Sequence, residues 1–276
     1  MTARLDRADL EAALEVAVGA AKAAGHQLQS FVGSRLDVVA KGEVDFVSQA
    51  DLAAEATIVK AIGEAFPGDG ILGEEGGEVV SVGNRRWIID PLDGTTNFVH
   101  GLPHYCVSIA LEVAGRVVVG VVFDPSRSEL FEASLGGGAR LNGAPISVST
   151  VNDVSQALLA TGFPYDRRDH PDEYLAFLRP FLLNSHGLRR AGSAALDLAW
   201  VAAGRLDGFW EFKLNPWDVA AGWLLVEEAG GLVSAGADQD FGFERKLIIA
   251  AGRTLHDRLA VEVRAVVDEL GWASTV

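Results

Sequence analysis

The chain contains a single cysteine, Cys106, so no disulfide can form within its 276 residues. That usage fits a reducing, cytoplasmic compartment, and Cys106 is expected to act as a small buried apolar side chain. Basic residues are also scarce, with 23 Lys and Arg against 38 Asp and Glu and a formal net charge of −15. The summed field repels phosphodiester backbones and anionic lipid surfaces, which argues against direct nucleic-acid or membrane binding. No stretch reaches the ~20 apolar residues of a membrane-spanning helix. Charges at Arg4, Asp6, Arg7, Asp9 and Glu11 interrupt what would be the apolar core of a signal peptide. Low-complexity linkers and fixed-period repeats are missing too. What is present is an apolar fraction of 49%, which excludes disorder and can bury a substantial core.

Apolar residues at Leu10, Ala13, Leu14, Ala17, Val18, Ala21, Ala24, Leu28 and Phe31 recur at helical spacing and predict a first helix. A second is expected from near Asp51 to Phe66, stopped by Pro67-Gly68-Asp69. Short apolar runs at 71–72, 87–89, 105–113, 117–123 and 129–133 then predict strands. Ala114-Gly115-Arg116 is short enough to close a hairpin, and Asn142-Gly143 is a favoured pair for a tight one. From about Gln156 the pattern changes, with strands expected at 157–161, 206–212, 231–234 and 246–250. Helices are expected at 171–183, 193–203, 217–228 and 254–270. The first half therefore reads as helices on a largely antiparallel sheet and the second as α/β.

The strongest local signal is Asp90-Pro91-Leu92-Asp93-Gly94-Thr95 after the apolar Trp87-Ile88-Ile89. Pro91 fixes the backbone where the chain turns, which brings Asp90, the Leu92 carbonyl and Asp93 together. Those hard oxygen donors suit magnesium or manganese rather than zinc. Gly94 permits close backbone approach, and the next residues can open a helix whose free amides face a phosphate. Glu74 and Glu75 follow another short apolar run. Asp45 and Asp51 flank Val47 where a loop, with Lys41 just upstream, enters the second helix, and Asp218 stands at the start of a later helix. Taken singly, each of these acids could be a helix cap, a turn or a solvated edge. Their coincidence at element boundaries points to one cleft, where several carboxylates repel unless cations hold them. The string lacks the twelve-residue spacing of an EF-hand. Gly136-Gly137-Gly138 fits neither the dinucleotide nor the P-loop pattern and reads as a hairpin connection.

These motifs, Asp45-Phe46-Val47-Ser48-Gln49-Ala50-Asp51, Gly73-Glu74-Glu75, Asp90 to Thr95, and Trp217-Asp218 before an Ala-Ala-Gly helix, stand in the order found in the inositol monophosphatase family. The chain resembles that family, within the wider lithium-sensitive phosphatase superfamily, over nearly its whole length. Two departures are Ser48, where many members have Thr, and a 41–45 loop one residue shorter than in some members. The resemblance implies a layered αβαβα sugar-phosphatase fold, with an N-terminal α+β half at 1–150 and a C-terminal α/β half at 151–276. It implies two or three magnesium ions per site, with manganese as a possible substitute. Glu74, Asp90 and the Leu92 carbonyl would hold one ion, and Asp90, Asp93 and Asp218 a second. Thr95, bonded toward Asp51, would orient the attacking water and Glu74 would help accept its proton. The implied substrate contacts are Glu74, Leu92, Asp93, Gly94, Thr95, Gly192, Ser193, Ala194, Glu211 and Asp218. From the residues alone, Gly192-Ser193-Ala194 reads as a helix start and Glu211 as an exposed strand end.

The implied activity is hydrolysis of myo-inositol 1-phosphate without a phosphoenzyme, by a lithium-sensitive homodimer. Histidinol phosphate, a fructose bisphosphate and a nucleotide 3′-phosphate are the rival esters, since related families share the metal motifs. The charge of Glu211 suits a polyol better than a second phosphate or a nucleotide. A regulatory partnership with the transcription machinery is the reading from another class.

Overall fold

In this computed structural model, residues 6–33, 38–40, 46–236 and 239–272 are described. Lys41 and Asp45 lie outside them. The first helix, α1 (Arg7–Phe31), starts at Asp6, whose side chain accepts from the Ala8 amide, and it buries Leu10, Ala13, Ala17, Ala20, Ala21, Ala24 and Leu28. Its small residues allow close packing: a Cβ on Gly25 would stand 2.6 Å from the Phe123 ring. A short antiparallel pair, β1 (Val38–Ala40) and β2 (Phe46–Ser48), then leads straight into α2 (Gln49–Ala65). The expected loop before α2 therefore contains a strand.

Eight strands follow with only a short helix among them: β3 (Gly70–Gly73), β4 (Gly77–Val79), β5 (Arg85–Asp93), β6 (Cys106–Val113), β7 (Arg116–Asp124), β8 (Glu129–Ser134), β9 (Gly138–Leu141) and β10 (Ala144–Pro145). They form one sheet in the order β10-β9-β8-β7-β6-β5-β3-β4, antiparallel except for β3 beside β5. The β9–β10 turn has Asn142 at φ 50 and Gly143 at φ 80, as a tight hairpin of that dipeptide requires. The triglycine segment joins β8 to β9, where Glu228 accepts from the Gly136 and Gly138 amides at 2.8 Å each.

The second sheet takes β11 (Leu158–Thr161), β12 (Gly187–Arg189), β13 (Gly208–Phe212), β14 (Leu232–Ser234) and β15 (Leu247–Ala251), in the order β12-β11-β13-β15-β14. Strands β12, β11 and β13 are parallel, whereas β15 is antiparallel to both β13 and β14, so the sheet is mixed. The short strand β12 was not apparent from the sequence. The remaining helices are α3 (Thr95–Val99), α4 (Pro171–Asn184), α5 (Ala194–Ala202), α6 (Pro216–Glu228) and α7 (Arg253–Leu270).

Alternation along the strands builds five layers. Trp87 and Ile89 of β5 face α1 and α2, while Ile88 faces α5 and α6. In β13, Phe209 joins the α5/α6 core and Trp210 and Phe212 join the core beneath α4 and α7. The order is thus α1/α2, the large sheet, α5/α6, the small sheet, α4/α7. Each fully buried large side chain contributes roughly 1.5–3 kcal/mol. An exposed pair such as Arg264–Asp268 is worth at most about 1 kcal/mol, so the apolar layers hold the fold. At Gly120, a Cβ would stand 2.8 Å from the Ala221 carbonyl, and Ser108 Oγ donates to the Trp217 carbonyl at 3.2 Å. These contacts seat α6 on β6 and β7, with its first turn beside the end of β5.

Candidate active site

The strand β5 is regular up to Asp90, then slips register against β6 before Asp93, with Pro91 inside the irregularity. Proline suits such a place because no ladder hydrogen bond is asked of it. The Leu92 amide donates to Asp90 Oδ1 at 2.9 Å. Next, Gly94 adopts φ 94, and a Cβ there would meet the His104 carbonyl at 3.0 Å. Only glycine suits both demands. The turn opens the short helix α3, and from the other side of the sheet α6 presents Asp218 in its first turn, where its carboxylate accepts from the Asn215 amide at 2.7 Å.

Asp90, Asp93 and Asp218 consequently each offer a carboxylate oxygen within 4.8 Å of the others. Burial pushes Asp90 well above the usual carboxylate range, and repulsion from Glu74, Asp93 and Asp218 adds to it. Asp93 is raised to about 6, chiefly by burial, against hydrogen bonds that favour its charge. Asp218 is raised by burial and then by Asp93. Asp93 Oδ2 accepts from Ser193 Oγ and from the Ala195 amide, both at 2.7 Å, so it caps the start of α5 across the chain. The Cys106 thiol, expected only to fill space as a small apolar group, is buried but also donates to the same oxygen at 3.9 Å.

Thr95 Oγ1 lies 3.0 Å from Asp51 Oδ1 and 3.0 Å from the Leu92 carbonyl, and Asp51 is wholly buried in the first turn of α2. One cleft is lined by Glu74, Asp90, Leu92, Asp93, Gly94, Thr95, Gly192, Ser193, Ala194, Glu211 and Asp218. Asp51 stands behind Thr95 rather than on the surface of the cleft. Ser193 is buried with its hydroxyl committed to Asp93, so a ligand meets this segment through its backbone.

Glu211 is a correction. It is not an exposed strand end but 8% exposed, because Gly162 has no side chain to exclude it: a Cβ there would lie 2.1 Å from Glu211 Oε1. Burial, with Asp197 nearby, raises its carboxyl to about 8, against the pull of Arg190. A neutral carboxyl donates as well as accepts and does not repel an anion, so its charge no longer argues against a second phosphate.

Three features went unread in the sequence. Glu55, one turn after Asp51 on α2, accepts from the Glu75 amide at 3.0 Å. Its carboxylate fills the space where Cβ atoms on Gly73 and Gly76 would stand, at 2.7 and 2.5 Å, and so shapes the turn carrying Glu74. The i, i+4 spacing from Asp51 was the available signal. Asn97 Nδ2 donates to the His104 carbonyl at 2.7 Å and the Ala191 carbonyl at 2.9 Å, tying the β5 turn to the α5 entrance. Arg167, Arg190 and Lys213 also line the cleft; Arg190 lies in the 189–194 segment that resembles the family, and no pattern in the sequence marked Arg167 or Lys213.

The sequence matches the Inositol monophosphatase family over residues 9–268. The chain belongs to the inositol monophosphatase family. Relatives include the "Nus factor SuhB" of Pseudomonas aeruginosa, 51% identical over 229 residues that cover 80% of this chain and 84% of that protein. The "Inositol-1-monophosphatase" of Rhizobium meliloti is 49% identical over 223 residues, with the same coverage. A solved inositol monophosphatase from Anabaena (Nostoc) superposes with a TM-score of 0.85 at 42% identity, covering 93% of this chain and 97% of that one. The layered architecture is thus that of inositol monophosphatases, a family of phosphatases that are in general magnesium-dependent. Among the described residues, no helix is long and apolar enough to cross a membrane.

Proposed function

We propose that the protein hydrolyses a phosphate monoester of a small polyol, myo-inositol 1-phosphate, with magnesium and without a phosphoenzyme. The observation that carries this reading is the convergence of Asp90, Asp93 and Asp218 oxygens within 4.8 Å, in a chain of this family. Three like charges so close oppose one another's ionisation, and a donor set made only of oxygens fits magnesium or manganese. The proposed ligands are Glu74, Asp90 and the Leu92 carbonyl for one ion, and Asp90, Asp93 and Asp218 for another. Held there, magnesium supplies Lewis-acid charge to the phosphate oxygens.

The chain's own groups then have separate tasks. Asp93 is prepared for its role because Ser193 and Ala195 fix its carboxylate through Oδ2. Thr95, donating its proton toward Asp51 or Leu92, keeps lone pairs with which to orient a water, and Glu74 accepts that water's proton. The backbone at Gly94 and Thr95 receives the phosphate. Glu211 and the backbone at Gly192 and Ala194 hold the hydroxyls of the leaving alcohol, which fixes its orientation. A homodimer belongs to the same reading. The test is magnesium-dependent phosphate release across inositol 1-phosphate, histidinol phosphate, fructose 1,6-bisphosphate and adenosine 3′,5′-bisphosphate. No release from any ester under any metal refutes the proposal.

One observation favours a second reading, a regulatory partnership with the transcription machinery: the name of the P. aeruginosa relative. A pull-down from cell extract with and without magnesium tests it, and recovery of no transcription component in either condition removes it.

A further inference from the structure

We propose that Asp166 and Lys213 are positioning residues, a clasp that holds the 162–167 wall of the cleft against the end of β13 and so fixes Glu211 for the leaving alcohol. The proposal rests on the phosphatase reading above and deepens it on the alcohol side of the site.

The parallel ladder between β11 and β13 ends at the pair Thr161–Trp210, and the chain then leaves the sheet as a turn before α4. The departing segment, Gly162 to Tyr165 with Arg167, lines the cleft, as do Lys213 and Leu214 after β13. Gly162 gives Glu211 its place, since a Cβ there would stand 2.1 Å from Oε1. A shift of this segment away from β13 therefore removes the surface against which the Glu211 carboxyl is set. Side chains take over from the ladder in holding it. Asp166 accepts from Lys213 Nζ on one side, and on the other from Tyr174 Oη of α4 at 2.8 Å. Tyr174 is buried, so the far anchor of the clasp is rigid. Lys213 Nζ also lies 5.8 Å from the centre of the Tyr174 ring and 6.0 Å from that of Trp272.

Burial opposes both charges, yet the pairing keeps Lys213 above and Asp166 below their ordinary values. The pair is more enclosed than one on the open surface: its side chains are 27% and 33% exposed, against 53% and 57% for Arg264 and Asp268. The backbone of Lys213 is strained as well. It sits at φ 57, in the left-handed region that disfavours a long side chain, and its amide donates to the Lys246 carbonyl at 2.6 Å. Such strain persists where the surroundings over-determine it, and here it lies two residues from Glu211. Glycine would adopt that conformation freely but has no ammonium to offer Asp166. A wall that has moved off β13 does not hold the alcohol, so KM rises as the closed fraction falls. A part-exposed pair shifts that balance by about fivefold.

The experiment uses the purified full-length protein with saturating magnesium and reads KM and kcat for inositol 1-phosphate, Ki for inorganic phosphate, and Tm. Lys213→Gly removes the ammonium and the backbone strain together, so Tm is expected to hold while KM rises about fivefold. Asp166→Asn is expected to raise KM to the same extent and the double variant no further, because the two side chains act as one unit. Lys213→Arg, which keeps the charge, should recover most of the loss. In all of them kcat and the Ki for phosphate, which report the metal half of the cleft, are expected to stay within about twofold of the wild type. A wild-type KM in Lys213→Gly and Asp166→Asn, or a rise in KM matched by an equal rise in the Ki for phosphate, overturns the clasp and leaves the phosphatase intact. No phosphate release from inositol 1-phosphate by the wild type overturns the phosphatase reading itself, and the clasp with it.

Discussion

Replacing Glu55 with alanine tests whether the turn carrying Glu74 is held from behind. The carboxylate is 8% exposed and accepts from the Glu75 amide at 3.0 Å, and its oxygens occupy the space beside Gly73 and Gly76. Removing it deletes a charge-assisted hydrogen bond and leaves room for the turn to shift, at a cost of about 2 kcal/mol. For a chain of this size that corresponds to a fall of roughly 4–8 °C in Tm. Loosening a residue that orients a metal ligand also weakens metal affinity or activity about 10–100-fold. The assay is turnover as a function of magnesium, alongside thermal unfolding. Half-saturation is expected to rise by about tenfold or more in Glu55→Ala, and to be largely recovered in Glu55→Gln, which keeps an acceptor oxygen and the volume. A variant that unfolds earlier but keeps the wild-type magnesium dependence refutes the positioning argument and leaves Glu55 a packing residue.

Further outcomes follow from the same geometry. Asp93 is raised from 3.8 to about 6, so its protonated form stabilises the metal-free protein fully below about pH 4, and that contribution is lost as pH rises through about 6. Asp90 and Asp218 are raised in the same direction. The gain in Tm on adding magnesium to chelator-treated protein is therefore expected to grow between about pH 5 and pH 7, and a constant gain contradicts it. Thr95→Ala is expected to lower kcat about 100-fold while KM stays within about threefold, with Thr95→Ser recovering most of the loss. Steady-state kinetics on inositol 1-phosphate decides this, and a change confined to KM counts against a water-orienting hydroxyl. Gly162→Ala places a methyl 2.1–2.2 Å from the Glu211 carboxylate and must displace it. KM is expected to rise with the circular dichroism spectrum unchanged, and an unaltered KM removes Glu211 from the substrate contacts.

Much of this architecture was legible in the sequence because it rests on local rules. The stripe from Leu10 to Phe31 could only be an amphipathic helix, and Asn142-Gly143 required a turn with two positive φ values. The acids from Asp90 to Asp218 stood at element ends, where a sheet presents functional groups. What escaped depends on contacts between distant segments. β12 is three residues whose side chains are partly exposed or exposed, with no alternation to mark it. The mixed sheet arises where β15 pairs antiparallel with both β13 and β14, while β12, β11 and β13 run parallel, and pairing direction is not written in a strand's own residues. Glu211 is buried because Gly162, some fifty residues earlier in the chain, leaves it space. Glu55 and Asn97 act by gripping backbone from other segments, and single-sequence spacing does not encode such partners.

The most direct measurement of the central claim is phosphate release from inositol 1-phosphate by the wild type and by Asp93→Asn, with magnesium and with chelator. The account predicts release that needs magnesium in the wild type and is reduced at least 100-fold in the variant while the fold is retained. Release that persists in chelator, or that Asp93→Asn leaves at the wild-type rate, would contradict it.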